Sequence, residues 1–224
     1  MSQAVQSMFD RISSRYDLLN HVLSGRRDIS WRRAAVGYLP EKPSRILDLC
    51  GGTGDFLLTA REKGRAAPGS RVADFAFGMM MALPAKGLPP GIQADALKLP
   101  FRDASFDAVT CGFGMRNLDD LRAGAVEIRR VLRDGGTFVT LEFFRPETIV
   151  ARAFYSGIAP LMIPLVGSLL GSRREAYEYL VTSIRRFARV GDYARILSES
   201  GYRVKAVRSL DFGLCHAVVA EAIP

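Results

Sequence analysis

Three short stretches hold residues whose types and spacing could do chemistry. In DLCGGTGDF, Gly51, Gly52 and Gly54 follow the apolar run RILDL and would let backbone N–H groups approach a ligand that a Cβ would push away. Twenty residues after Gly54, Asp74 ends a second run, RVAD, where a carboxylate can accept both hydroxyls of a ribose. A third acid, Asp95 in ADALKLPF, closes a third run, where it could accept from the amino group of a base. Finally, Arg116 and Asn117 follow directly on FDAVTCGFG. A guanidinium there either begins a solvated loop, paired with Asp119 or Asp120, or it faces a ligand.

A glycine loop with a distant acid serves both NAD and S-adenosylmethionine. Three details favour the second. The loop reads D-x-C-G-G-T-G rather than G-x-G-x-x-G; it is acidic at both ends, Asp48 and Asp55, which suits an ammonium better than a pyrophosphate; and Asp95 is available to an adenine. Either loop acid could instead cap the following helix, and Asp55 is expected to do so.

These residues need a scaffold. Short runs at 45–49, 71–74, 91–95, 106–111, 136–143, 202–207 and 215–222 read as strands, with helical patterns between them through residue 143. That alternation predicts a parallel sheet with helices on both faces. Only SLDFGL separates the last two strands, too short for a helical crossover, so they should pair antiparallel. The helix in DLRAGAVEIRRVLRDGG is expected to stop at Gly135-Gly136. Pro84 should shorten the helix after the second strand.

Two segments stand outside the alternation. Val5, Met8, Phe9, Ile12 and Tyr16 lie at helical spacing, predicting one amphipathic helix over 4–20. Residues 153–172 carry no charge. Pro160, Pro164 and three glycines break the run, so it reads as a helical insert capping the sheet rather than a membrane span.

The 224 residues suit one domain, with 1–40 as a helical cover and 146–190 as the insert. The net charge is +8, and 26 of the 31 cations are arginine, a balance that favours anionic partners. Three cysteines without CxxC spacing suggest neither a disulfide framework nor a metal site. Cys50 and Cys111 end neighbouring strands and should approach each other as buried hydrophobes. The N-terminal stretch lacks a secretory apolar core, so a cytoplasmic location is expected.

Taken together, MFDRISSRYDLLNHVLS, WRR, LDLCGGTGDF, DFAFGM, ADALKLPF, FDAVTCGFGMRNL, EIRRVLRDGG and LEFFRP resemble the quinone-biosynthesis C-methyltransferases from Met8 to about Gly213. The loop is generic to class I methyltransferases; YDLLN and FGMRN are far more specific. The resemblance implies a Rossmann-like α/β fold, S-adenosylmethionine as cofactor, and C-methylation of a polyprenyl hydroquinone. Demethylmenaquinol is the first acceptor and a polyprenyl methoxybenzoquinol the alternative. It implies cofactor contacts from Thr53, Asp74, Asp95 and Ala96 beside the loop glycines. It implies that Tyr16, Arg116 and Asn117 assist proton removal from the ring hydroxyl. Two departures stand out. Gly112 replaces a small polar residue of the family pattern, and DFAFGM replaces DFSEGM.

Arginine is effectively always protonated, so Arg116 is expected to stabilise a developing phenolate rather than act as base. His21 and His216 are read as structural, His216 as far from the crevice. The insert and N-terminal helix would form a lid over the isoprenoid tail, with flanking arginines resting on the inner face of the cell membrane; a homodimer face is the other use of the insert. The rival readings are an NAD-dependent oxidoreductase, an RNA or small-phenol methyltransferase, and a non-catalytic lipid carrier. No nucleic-acid module is recognisable.

Overall fold

Strands that are apolar on both faces can be stable only between two layers of helix, and β1 (Ile46–Leu49) is buried at all four positions. In the computed structural model, which describes residues 3–160 and 174–224, β1 is central to a seven-stranded sheet of order β3-β2-β1-β4-β5-β7-β6. The remaining strands are β2 (Arg71–Asp74), β3 (Ile92–Gln93), β4 (Phe106–Gly112), β5 (Leu132–Glu142), β6 (Tyr202–Leu210) and β7 (Cys215–Ala222). Strands β1 to β5 pair in parallel, and β7 lies antiparallel between β5 and β6. The expected sheet with its C-terminal hairpin is therefore present. The strand order reverses between β1 and β4, whose register sets Leu49 beside Cys111. A crevice outside the C-terminal strand ends is the usual ligand position in such sheets.

The helices in chain order are α1 (Gln3–Ile12), α2 (Tyr16–Leu23), α3 (Arg27–Val36), α4 (Asp55–Glu62), α5 (Phe77–Met80), α6 (Leu121–Val131), α7 (Ile149–Ala153), α8 (Arg174–Arg186) and α9 (Val190–Glu199). One core packs α6 and α9 on the sheet through Ile128, Val131, Tyr193 and Leu197. A second packs α3 and α4 on the opposite face through Trp31, Ala35, Phe56 and Leu57.

Three expectations need correction. The N-terminal segment is not one helix: a 3₁₀ turn, Ser13–Arg15, separates α1 from α2. Ser13 Oγ donates to the Asp10 carbonyl at 2.9 Å, a local bond that competes with the helical ladder. Helix α6 stops at Val131 rather than at the Gly135-Gly136 pair. Leu132 already has extended backbone and pairs with Phe106. Asp55 does not cap α4. It is the first helical residue, behind Gly54 at φ +79°, and the Asp48 carboxylate accepts the Leu57 N–H at 3.0 Å instead. A side chain at Gly54 would have to adopt that left-handed conformation while overlapping Leu83 and Leu88.

As Pro84 implied, α5 is a single turn followed by a 3₁₀ turn, Pro84–Lys86. In the insert, α7 is capped by Thr148 and continues into a π-turn, Phe154–Ile158. Most of the uncharged run, residues 161–172, lies outside the described residues. Among the described residues no helix is long and apolar enough to cross a membrane.

Candidate active site

The glycine loop lies across the C-terminal end of β1. Its Gly52 N–H donates to Asp74 Oδ2 at 2.9 Å, and Asp74 Oδ1 accepts the Ala76 N–H at 2.8 Å. Asp74 thus joins the loop to β2 through backbone N–H groups on both oxygens, with acceptor capacity left for a ligand. Burial raises its carboxyl to about 6, against the bonds from Ala76 and Gly52.

The narrow crevice above this loop has walls from Cys50 to Thr53 with Asp55, from Asp74 and Met79, and from Gly112 to Gly114 with Asn117; Gly54 is not in them and faces Leu83 and Leu88. Phe9 and Tyr16 of the N-terminal segment close it from above. Gly114 admits no side chain: a Cβ there would overlap Cys50 Cβ and lie 2.9 Å from both Cys50 Sγ and Cys111 Sγ. The two thiols do approach each other, as their strand positions implied. Asp95 and Ala96 lie beyond β3, outside these walls. The Asp95 carboxylate accepts the Leu97 N–H at 3.0 Å and Ala96 is buried.

A chain of charges fastens the cover. Asp17 of α2 accepts from Thr53 Oγ1 at 2.6 Å and from Lys86 Nζ at 2.7 Å. Lys86 also reaches Asp55 at 2.6 Å, and Arg32 joins Asp55 to Asp28. Asp10 of α1 accepts the Gly78 N–H at 2.8 Å. Asp10, Asp17 and Arg32 lie within the motifs MFDRISSRYDLLNHVLS and WRR, yet neither they nor Lys86 could be given a role from the sequence, because each acquires it only when α1 to α3 fold back over the loop. His21 holds Asp28 at 2.9 Å, a structural position.

Arg116 sits on a 3₁₀ turn, Met115–Asn117, that continues β4. Its guanidinium does not pair with Asp119 or Asp120. Nη1 donates to Glu142 Oε1 at 2.6 Å and to the Phe113 carbonyl at 2.5 Å. Glu142 also accepts the backbone N–H groups of Arg116 and Phe143, at 3.2 and 2.8 Å. The carboxylate has no exposed surface and the guanidinium only 6%. Burial opposes the charge on Arg116, and Glu142 overcomes that opposition and holds its pKa above the usual arginine value. The Nε of Arg116 is buried and unpartnered, a donor still to be satisfied. Asn117 Oδ1 accepts from Tyr179 Oη at 2.8 Å, so α8 of the insert reaches the same turn.

Beside Arg116 opens a mainly apolar cavity of about 370 Å³, walled by Leu23, Trp31, Phe143, Tyr155, Leu180 and Ile184 among others. Tyr16 and Phe113 belong both to this cavity and to the crevice, so the two meet there. Phe113 stacks on Phe143 with centroids 4.6 Å apart. Burial raises the Tyr16 phenol above its usual pKa, although Asn20, Arg116 and Arg32 pull it down. His216 is nearer than its sequence position implies: it is the register partner of Glu142 across β5 and β7. Its ring packs edge-on against Phe144.

The arrangement joins a glycine cradle with a ribose-type acid to a greasy chamber holding one buried cation. A profile of the ubiE/COQ5 methyltransferase family matches residues 1–221. A demethylmenaquinone methyltransferase of Deinococcus radiodurans is 40% identical over 98% of this chain and 92% of its own. That of Thermus thermophilus is 40% identical over 96% and 99%. A ubiquinone/menaquinone biosynthesis C-methyltransferase UbiE of a Caulobacter species is 36% identical over 94% and 88%. Among solved structures, an S-adenosylmethionine-dependent methyltransferase of Thermotoga maritima superposes with a TM-score of 0.72 at 18% identity. It covers 96% of this chain and 99% of its own, a likeness of fold.

Proposed function

The chain belongs to the ubiE/COQ5 methyltransferase family and is an S-adenosylmethionine-dependent methyltransferase; we propose that it methylates a ring carbon of a polyprenyl hydroquinone, converting demethylmenaquinol to menaquinol. One observation carries the choice of acceptor. The apolar cavity meets the cofactor crevice at Tyr16 and Phe113, with Arg116 in the cavity wall and its buried Nε still without a partner.

When bound, the cofactor supplies an electrophilic methyl group. Gly51, Gly52 and Thr53, which line the crevice, would cradle it, with Gly54 setting the turn into α4, and Asp74 would take the ribose; Asp95 and Ala96, beyond β3 and outside those walls, are the residues the resemblance assigns to the adenine. The unpartnered lone pairs of Asp74 and the space above the loop suit such a group. A ring hydroxyl has an ordinary pKa near ~10, and a carbon nucleophile forms as that proton leaves. Arg116 donates to the developing phenolate from a dry site, where such a bond is stronger than in water. Tyr16 and Asn117 orient the hydroxyl, and the proton departs through Tyr16 or a water. The stack of Phe113 on Phe143 supports one face of the ring, and Trp31, Tyr155, Leu180 and Ile184 hold the tail. Holding acceptor and methyl in line can contribute on the order of 7–11 kcal/mol.

Such an acceptor resides in lipid, so the enzyme works as a peripheral visitor to the inner face of the cell membrane. Purified protein given labelled S-adenosylmethionine and demethylmenaquinol under reducing conditions should yield labelled menaquinol. A preparation that binds the cofactor and leaves the acceptor unmethylated would defeat the proposal. The likeness to the Caulobacter protein keeps a methoxybenzoquinol as second acceptor. The quinone that accumulates in cells lacking the protein separates the two.

A further inference from the structure

The hairpin joining β6 to β7 turns through Asp211, Phe212 and Gly213 at φ +44°, +58° and +92°. Two of the three are not glycine, and a Cβ in that left-handed region crowds the backbone. The turn is held from several sides. Asp211 accepts from Trp31 Nε1 at 2.7 Å and from Arg27 Nε at 2.8 Å. Thr148 Oγ1 donates to the Phe212 carbonyl at 2.7 Å, and Tyr155 Oη donates to the Leu214 carbonyl at 3.2 Å. This over-determined turn leaves the Phe212 side chain in solvent, with the residue 79% exposed. Strain that persists because its surroundings enforce it is a reasonable place to look for function.

Phe212 does not stand alone. The Thr148 hydroxyl that grips its carbonyl also caps α7 by accepting the Ala151 N–H. The first residues of α7, Ile149 and Val150, therefore begin beside Phe212, and they are 84% and 52% exposed. Three large apolar residues thus stand exposed on two segments tied together by Thr148, and Asp211 and Leu214 on either side of this turn form part of the cavity wall. Exposed arginines stand on the elements that meet here: Arg145 just after β5, Arg152 in α7 and Arg208 near the end of β6. The nearby acids Glu147 and Asp211 are already engaged with Arg189 and Arg27.

We propose that Phe212, Ile149 and Val150 form a wedge that inserts into an anionic lipid surface and sets the mouth of the apolar cavity against the bilayer. An apolar tip ringed by arginine matches the boundary between acyl chains and anionic headgroups. A tailed acceptor then passes from lipid to cavity without crossing water. The wedge rests on the hydroquinone reading for its purpose, though its affinity for lipid can be measured independently.

The test uses the full chain and vesicles of phosphatidylcholine with and without phosphatidylglycerol. Wild-type protein should sediment with the anionic vesicles and be released by salt. The double variant Phe212→Ser/Ile149→Ser should bind at least about tenfold more weakly. Its methylation of a short-tailed hydroquinone in solution should be unchanged, while its rate on a long-tailed one in vesicles falls by a similar factor. Phe212→Gly separates lipid binding from folding: glycine accepts φ +58° without strain, so its Tm should hold or rise while vesicle binding falls. Vesicle binding equal to wild type in both variants would overturn the wedge. So would a concentration-dependent dimer in wild type that the double variant abolishes while neither binds lipid. If no form methylates the short-tailed acceptor, the hydroquinone reading fails while the sedimentation result still decides the wedge.

Discussion

Glu142 receives both the side chain and the backbone N–H of Arg116, at 2.6 and 3.2 Å, from within the last turn of strand β5. A carboxylate without solvent fixes the cation while leaving its Nε unpartnered. Removing one member of a buried pair strands the other, at about 3–5 kcal/mol. Glu142→Ala should therefore lower stability by that order in urea denaturation. Arg116→Gln should lower kcat by about 10²–10³, as loss of an oxyanion donor does, and Arg116→Lys should keep measurable activity because a cation remains. Wild-type kcat in Arg116→Gln would exclude the phenolate role.

Asp48 gives a pH signature of its own. Burial raises its carboxyl from 3.8 to about 7, against the bonds from Leu57 and Thr110. Between about pH 4 and pH 7 the folded protein therefore holds a proton that the unfolded chain has released. Stability should fall as pH rises through that window and level off above it. Asp48→Asn keeps an oxygen acceptor for Leu57 and should flatten the slope, leaving the contributions of Asp74 and Glu142, which burial also raises. Urea midpoints at several pH values measure it; parallel slopes in the two proteins would contradict it.

The cover over the crevice is fastened chiefly through Asp17, which holds Thr53 and Lys86. A charge-assisted bond of this kind contributes about 1.5–3 kcal/mol. Asp17→Asn should speed cofactor exchange roughly tenfold. Trp31, the one tryptophan in the chain, offers a stopped-flow signal because it packs on Phe113 of the crevice wall. Identical exchange rates would mean that the cover opens elsewhere.

Two glycines of one segment should respond oppositely. At Gly114 an added Cβ overlaps the Cys50 side chain, whereas at Gly112 it meets only the Phe56 ring edge at 3.1 Å. Gly114→Ala should lose cofactor binding and at least about 1–3 kcal/mol of stability, the usual range for overpacking. Gly112→Ser should fold normally, with near-native cofactor affinity by calorimetry.

The sheet was legible in the sequence because short apolar runs and glycine punctuation are local signals. The loop, Asp74 and the Arg116–Asn117 turn were legible for the same reason. Glu142 was not, although a signal exists: it is an acid inside the run TFVTLEFF, and a charge in a buried strand requires a partner. The sequence could not say that Arg116, 26 residues earlier, was that partner. The exchange of roles between Asp48 and Asp55 was hidden likewise, since the cap comes from the end of the strand rather than from the residue beside the helix. The break at Ser13 escaped because the apolar spacing runs unbroken across it.

The bond from Tyr179 to Asn117 carries a consequence for selectivity. In the proposed reading it makes α8, whose Leu180 and Ile184 wall the apolar cavity, and the Asn117 amide beside the reacting ring one piece of structure. On that reading, a phenol without a tail to hold α8 in place would meet an amide that has lost its Tyr179 bond and keeps only the 3.4 Å bond to the Phe113 carbonyl. Tail recognition would then be read out as turnover rather than as affinity, and stray phenols of the cell would go unmethylated even where they bind.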